Sequence, residues 1–108
     1  RTGIEGVWGR ELDDPDRIMV KFILDHTWVW IIMNKKTGLI TNSLGGTFEY
    51  NAPEYIEKAE FHFNVPNGIG GMLQSELTVQ GEGLSLTGSI NRNGEKNPLE
   101  ETWKRFEW

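Results

Sequence analysis

The run from Lys21 to Met33, KFILDHTWVWIIM, limits what this chain can fold into more than any other stretch. Two segments rich in β-branched and aromatic residues meet at Asp25-His26, a polar corner with room only for a tight turn. This pattern predicts a β-hairpin. Side chains alternate along a strand, so Trp28, Trp30 and Ile32 share one face of the second arm and Thr27, Val29, Ile31 and Met33 the other. A sheet with two tryptophans on one face needs a deep apolar volume behind it.

The 108 residues suit one domain, taken as 1–108, with a single core. Five Trp, five Phe and two Tyr give that core large area per residue. A net charge of −5 leaves no basic stripe for phosphates, which argues against nucleic acid and anionic membrane surfaces as partners. No apolar run reaches the ~20 residues of a transmembrane helix. With no cysteine, disulfides and thiolate chemistry are excluded. The chain begins at Arg1, as a trimmed or processed piece would; a removed signal peptide would leave this appearance and so would a domain cut from a longer chain, and an extracytoplasmic location, periplasmic or secreted, is expected.

A first strand is read over 4–11, with Trp8 as its large inward residue. Asp13-Asp14-Pro15-Asp16 reads as a turn and lacks the ligand spacing of a calcium loop. The second strand spans Arg17 to Leu24, with Ile18, Val20, Phe22 and Leu24 on one face. Arg17, Met19, Lys21 and Ile23 occupy the other, which Lys21 marks as the outer one. The third strand runs over 27–33, and Asn34 to Gly38 turns the chain. A fourth lies within 39–50, where Gly45-Gly46 predicts a bend or bulge and Phe48 and Tyr50 share a face.

The segment 51–63 carries conflicting signals. Asn51, Pro53 and the Glu54–Lys58 spacing are helix-start features. Against them, Tyr55, Glu57, Ala59 and Phe61 alternate with Ile56, Lys58, Glu60 and His62, as in a strand. The stretch 64–72 is irregular, Gly-rich and apolar, and no Lys-Ser/Thr follows to make it a phosphate loop. Strands at 73–80 and 84–90, a polar loop at 91–98 and a last strand at 99–106 complete the chain. Leu99, Glu101, Trp103 and Arg105 share a face of that last strand. About eight strands in regular succession, with no crossover helix, predict an all-β, eight-stranded antiparallel up-and-down barrel.

Gly6-Val7-Trp8 resembles the Gly-x-Trp signature of the lipocalins and their calycin relatives. In that family the Trp plugs the closed end of the barrel and a basic residue near the last strand lies across it. Trp8 and Arg105 are the corresponding plug residues here. Asp25-His26-Thr27-Trp28-Val29-Trp30, Gly45-Gly46-Thr47-Phe48 and Glu101-Thr102-Trp103-Lys104-Arg105 are similar, in order and spacing, to the small lipocalin-like domains of unknown function in bacterial secreted proteins. The likeness covers Ile4 to Phe106. It implies an extended 54–63, with Tyr55 and Glu57 in alternation. The longer lipocalins carry large loops and a terminal helix that this chain lacks, so their ligand types do not transfer.

The expected function is binding of a small, largely apolar molecule inside the barrel. Trp28, Trp30, Tyr50 and Tyr55, with Trp103 beside them, would line the pocket; Glu57 and Glu101 would orient the ligand, and 64–72 would form its lid. Arg10 shares the face of Trp8 and is a candidate partner for either carboxylate. The first alternative is a filled barrel acting as a structural or protein-interaction module, with Met19, Ile23, Val29 and Ile31 outside and a homodimer as the partner state. The second is an enzyme using the two carboxylates, with His26 or His62 in support. No nucleophile–base set or metal-ligand spacing supports it, so no catalysis, cofactor or metal is expected.

Overall fold

The computed structural model describes residues 3–107, so residues 1–2 and 108 of the expected domain lie outside the described residues. Eight strands follow in order: β1 (Gly6–Glu11), β2 (Arg17–Leu24), β3 (Thr27–Asn34), β4 (Ile40–Asn51), β5 (Glu54–Phe63), β6 (Met72–Gln80), β7 (Gly83–Arg92) and β8 (Glu95–Arg105). Each pairs antiparallel with its neighbours, and β8 returns to β1, closing the barrel. The expected fold class is therefore the observed one. The β1–β8 seam is short, with only Trp8 opposite Arg105 and Gly9 opposite Lys104.

The central hairpin turns at Asp25-His26, where Asp25 adopts φ 56°, and Leu24 pairs with Thr27 across the corner. The 51–63 segment resolves as strand β5, with Pro53 in the turn before it. Cross-strand burial of Tyr55, Glu57 and Ala59 outweighs the local helix-start signals there. The polar stretch 91–98 is a correction: it is not a loop. Asn93 and Gly94, both at positive φ, form a two-residue turn, and the ladder runs unbroken from Arg92↔Glu95 to Gly83↔Lys104. Between β5 and β6 the chain makes one 3₁₀ turn, Pro66–Gly68.

β2 is the larger correction. Lys21 was expected outside, yet it pairs with Trp8 on one side and Trp30 on the other and points into the barrel at 2% exposure. Met19 and Ile23 go inward with it: Ile23 is buried in the core and Met19 packs against it. Ile18, Val20 and Phe22 consequently turn to the outer face, where Ile18 and Val20 are nonetheless covered, at 6% and 0% exposure. Directly opposed residues share a face, so the two inward tryptophans of β3 fix the inward set of β2.

A bulge between Gly45 and Gly46 does the same for β5. A Cβ on Gly46 would lie 1.8 Å from the Lys58 carbonyl oxygen, so only glycine lets β4 and β5 approach there. Beyond the bulge the alternation of β5 shifts. Phe61 stands on the outer face over Gly45 at 48% exposure, rather than inside with Ala59.

The core is the barrel interior, built from Trp8, Ile23, Trp28, Leu44, Phe48, Tyr55, Leu73, Leu77, Leu84, Leu86 and Trp103, with Ile4 beneath. One end is sealed. Trp8 is fully buried, its indole N–H donates to the Ile4 carbonyl at 2.9 Å, and the Arg105 guanidinium lies 3.9 Å over its ring. Arg105 Nη1 and Nη2 donate to the carbonyls of Glu5 and Gly3 at 2.8 and 3.0 Å. Gly6 makes room for this cation: a Cβ there would stand 2.5 Å from Arg105 Nη1, and its φ is +135°.

Candidate functional site

At the opposite end the barrel is not filled. A cavity of about 180 Å³ lies between the aromatic layer and the 64–71 segment, whose Gly68 and Gly71 contribute to its lining. Apolar walls come from Met19 and Trp30 on the hairpin, Leu44 on β4, Leu73 and Ile90 on β6 and β7, and Leu99 on β8. Ala59, small and on the inward side of β5, leaves space where a larger residue would fill it. Arg92 stands at the rim, solvent-exposed, and makes no ion pair among the described residues.

The floor is polar. Lys21 forms an ion pair with Glu57 Oε2, with both side chains almost wholly buried. The Tyr55 hydroxyl donates to the same Glu57 oxygen at 2.5 Å. The Lys21 ammonium sits 5.3 Å from the ring of Trp28, 5.4 Å from Trp103 and 5.7 Å from Tyr55. Three ring faces thus share the desolvated cation with one carboxylate. Burial, and next the Glu57 carboxylate that it touches, hold the Tyr55 hydroxyl well above its ordinary pKa, so it remains a donor.

A second pair stands in the wall. Arg10 Nη1 donates to Glu101 Oε2 at 3.2 Å, and the Trp103 indole N–H donates to Glu101 Oε1 at 3.3 Å. The Arg10 cation also lies 6.0 Å from the Trp103 ring. Trp28 is anchored by its indole N–H, shared between the carbonyls of Thr47 at 3.0 Å and Lys58 at 3.2 Å. That fixes its ring against β4 and β5.

Of the residues expected to line a pocket, Trp28, Trp30, Glu57 and Glu101 do so, as does Trp103. Tyr55 and Tyr50 do not. Tyr55 lies fully buried behind Glu57, and Tyr50 packs edge-on against it at 6.3 Å between ring centroids. Phe48 stacks on the other side of Tyr55 at 5.6 Å. Arg10 meets Glu101, as its face allowed, whereas Glu57 takes Lys21 instead. The histidines stay apart from this site: His26 is in the hairpin corner beside Phe48, and His62 Nδ1 accepts the Val65 backbone N–H.

Lys21 is the residue of this candidate site that sequence reasoning misplaced. A signal for it was present, because a two-residue turn at Asp25-His26 sets Lys21 directly opposite Trp30. No protein-family model matches the chain, and neither the curated proteins nor the solved structures yield a match.

Proposed function

We propose that this chain is a lipocalin-like binding barrel that takes up a small, largely apolar molecule in the cavity below the 64–71 segment, without catalysis. The family assignment is supported by the closed eight-strand order together with the Gly6, Trp8 and Arg105 plug. The binding assignment rests on one observation, the unfilled volume of about 180 Å³ walled by Trp28, Trp30 and Trp103. An apolar protein cavity of ~150 Å³ is enough to bind benzene. A molecule of one ring therefore fits, and a long lipid does not. The 64–71 segment is the proposed lid.

Benzene uptake, followed by chemical-shift changes in the indole N–H signals, tests this reading. Binding is expected in the parent and expected to be lost in Ala59→Leu, which fills the cavity from its wall. A parent that takes up no benzene, and that carries no co-purified molecule in native mass spectrometry, would refute it.

A second reading, self-association, is favoured by the outer face. Phe22, Val29, Gly45 and Phe61 form one row across β2 to β5, and Ile31, Ser43 and Phe63 form the next across β3 to β5. Neither row contains a charge, and both end in a phenylalanine about half exposed, at 48% and 59%. An uncharged face is where two copies of an acidic chain can meet without opposing like charges. Sedimentation at micromolar concentration should show a dimer that Phe61→Lys with Phe63→Lys converts to monomer; a monomeric parent would end this reading.

A further inference from the structure

The cavity floor pairs a donor with an acceptor at a neutral site, and that combination specifies the ligand more narrowly than apolar lining does. Resting on the binding role proposed above, we infer that the ligand is an uncharged, ring-sized molecule carrying a hydrogen-bond donor and acceptor side by side, as in a primary amide or lactam, docked on Lys21 and Glu57.

The chemistry follows from what the floor groups have left to offer. An ammonium carries three N–H donors, and Lys21 has Glu57 as its one ionic or hydrogen-bonding partner among the described residues. Its remaining donors have ring faces and the cavity to turn to. Both contacts that Glu57 makes, from Lys21 and from the Tyr55 hydroxyl, fall on Oε2. Oε1 accepts no hydrogen bond among the described residues, although Glu57 lines the cavity. A carboxylate oxygen has lone pairs to spare for a ligand N–H. One molecule supplying a carbonyl oxygen to Lys21 and an N–H to Glu57 would complete both groups.

Charge selects the ligand's ionisation state. Lys21 with Glu57 sums to zero at the buried floor, and Glu101 in the wall is offset by the partly exposed Arg10, so the cavity floor is already neutral. A carboxylate or ammonium ligand at the floor would add an uncompensated charge to a desolvated site. Arg92 does not alter this, because it stands in solvent at the rim. A hydrocarbon fits the walls but leaves the polar floor groups uncompleted. The body of the ligand would rest against Met19, Trp30 and Leu99.

Four single-ring probes separate these possibilities: benzamide, benzoate, benzylammonium and toluene, each titrated into the full chain and followed by tryptophan fluorescence and indole N–H shifts. Benzamide is expected to bind about tenfold or more tighter than each of the other three. The double variant Lys21→Met with Glu57→Leu replaces the floor by apolar groups of similar length; it should bind toluene at least as well as the parent and lose the preference for benzamide. Toluene binding as tight as benzamide, or benzoate or benzylammonium binding tightest, overturns the inference while leaving a binding cavity in place. Binding of none of the four overturns both the inference and the binding role. A benzamide preference that survives in the double variant assigns the recognition to other residues and also overturns it.

Discussion

The buried Lys21–Glu57 pair gives the sharpest test of how the interior is organised. Both side chains are nearly inaccessible, so removing one partner leaves an uncompensated charge in a low-dielectric site; such truncations cost about 3–5 kcal/mol. The two single variants should not be equal. In Lys21→Met, Glu57 keeps the Tyr55 hydroxyl at 2.5 Å, and a hydrogen bond to a charged group is worth about 1.5–3 kcal/mol. That loss should fall near the lower bound. In Glu57→Leu, Lys21 keeps only the faces of Trp28, Trp103 and Tyr55, and the Tyr55 hydroxyl loses its acceptor, so the loss should approach the upper bound. The double variant to Met and Leu discards both desolvation costs at once and should unfold within about 1 kcal/mol of the parent. Urea denaturation at neutral pH, followed by tryptophan fluorescence, measures all four corners of the cycle. With single losses of about 3 and about 5 kcal/mol and a double variant within about 1 kcal/mol of the parent, a coupling of about 7 kcal/mol or more is expected. Single variants that each cost under about 1 kcal/mol and simply add in the double would refute the reasoning, since the two charges would then be solvated rather than paired in the core.

Two further substitutions probe the sealed end and the aromatic layer. Gly6→Ala should lower stability by about 1–3 kcal/mol, because its φ of +135° strains any L side chain and its Cβ would displace Arg105 from Trp8; a thermal melt superimposing on the parent would remove Gly6 from the plug. Tyr55→Phe should flatten the alkaline limb of the stability curve. Below the ordinary tyrosine pKa of about 10 both folded and unfolded chains hold this proton, so the raised folded pKa contributes its full stability there. Above it the unfolded chain releases the proton while the fold retains it, and stability falls by up to about 1.4 kcal/mol per pH unit from this residue alone. Urea midpoints of parent and Tyr55→Phe at pH 9, 10 and 11 should therefore converge as pH rises, and parallel curves would count against it.

Much of the barrel could be read from the chain, because strand alternation, paired glycines and turn residues are local signals. The two-tryptophan face of β3, the Ser75, Leu77 and Val79 face of β6 and the shared face of Leu99, Glu101 and Trp103 all emerge as observed. The polar run after Asn91 misled for a physical reason. The hairpin tip from Arg92 to Pro98 pairs only within β7 and β8 and carries little inward bulk, so its solvated residues look like a loop until that pairing is known. Lys21 misled for the opposite reason. A lone lysine in an apolar strand is most simply placed in water, and only a partner distant in sequence, Glu57, makes its burial tolerable. Pairing across the Asp25-His26 turn would have placed it correctly, since a residue opposite Trp30 must share its face. The cavity itself had no comparable signal. It depends on the absence of bulk at Ala59 and on where the 64–71 segment comes to rest, and both are properties of the assembled barrel.

The two ends of the barrel solve different physical problems, which is why the proposed ligand recognition is assigned to only one of them. At the sealed end the polar atoms of Trp8 and Arg105 are directed at backbone: Trp8 at the Ile4 carbonyl, and Arg105 at the carbonyls of Glu5 and Gly3. Such bonds hold the first residues of the chain across the opening and leave nothing to offer a ligand. At the other end polar side chains meet one another, the buried Lys21 with Glu57 and the partly exposed Arg10 with Glu101, beside unfilled space. Stability alone is a weak reason for a buried ion pair, because apolar residues of similar volume commonly do as well or better. A second reason is needed at a place where Met and Leu would fill the same room. The proposed recognition would supply it, since the same two side chains that cost desolvation in the empty barrel are the groups able to tell a polar ring from a hydrocarbon one.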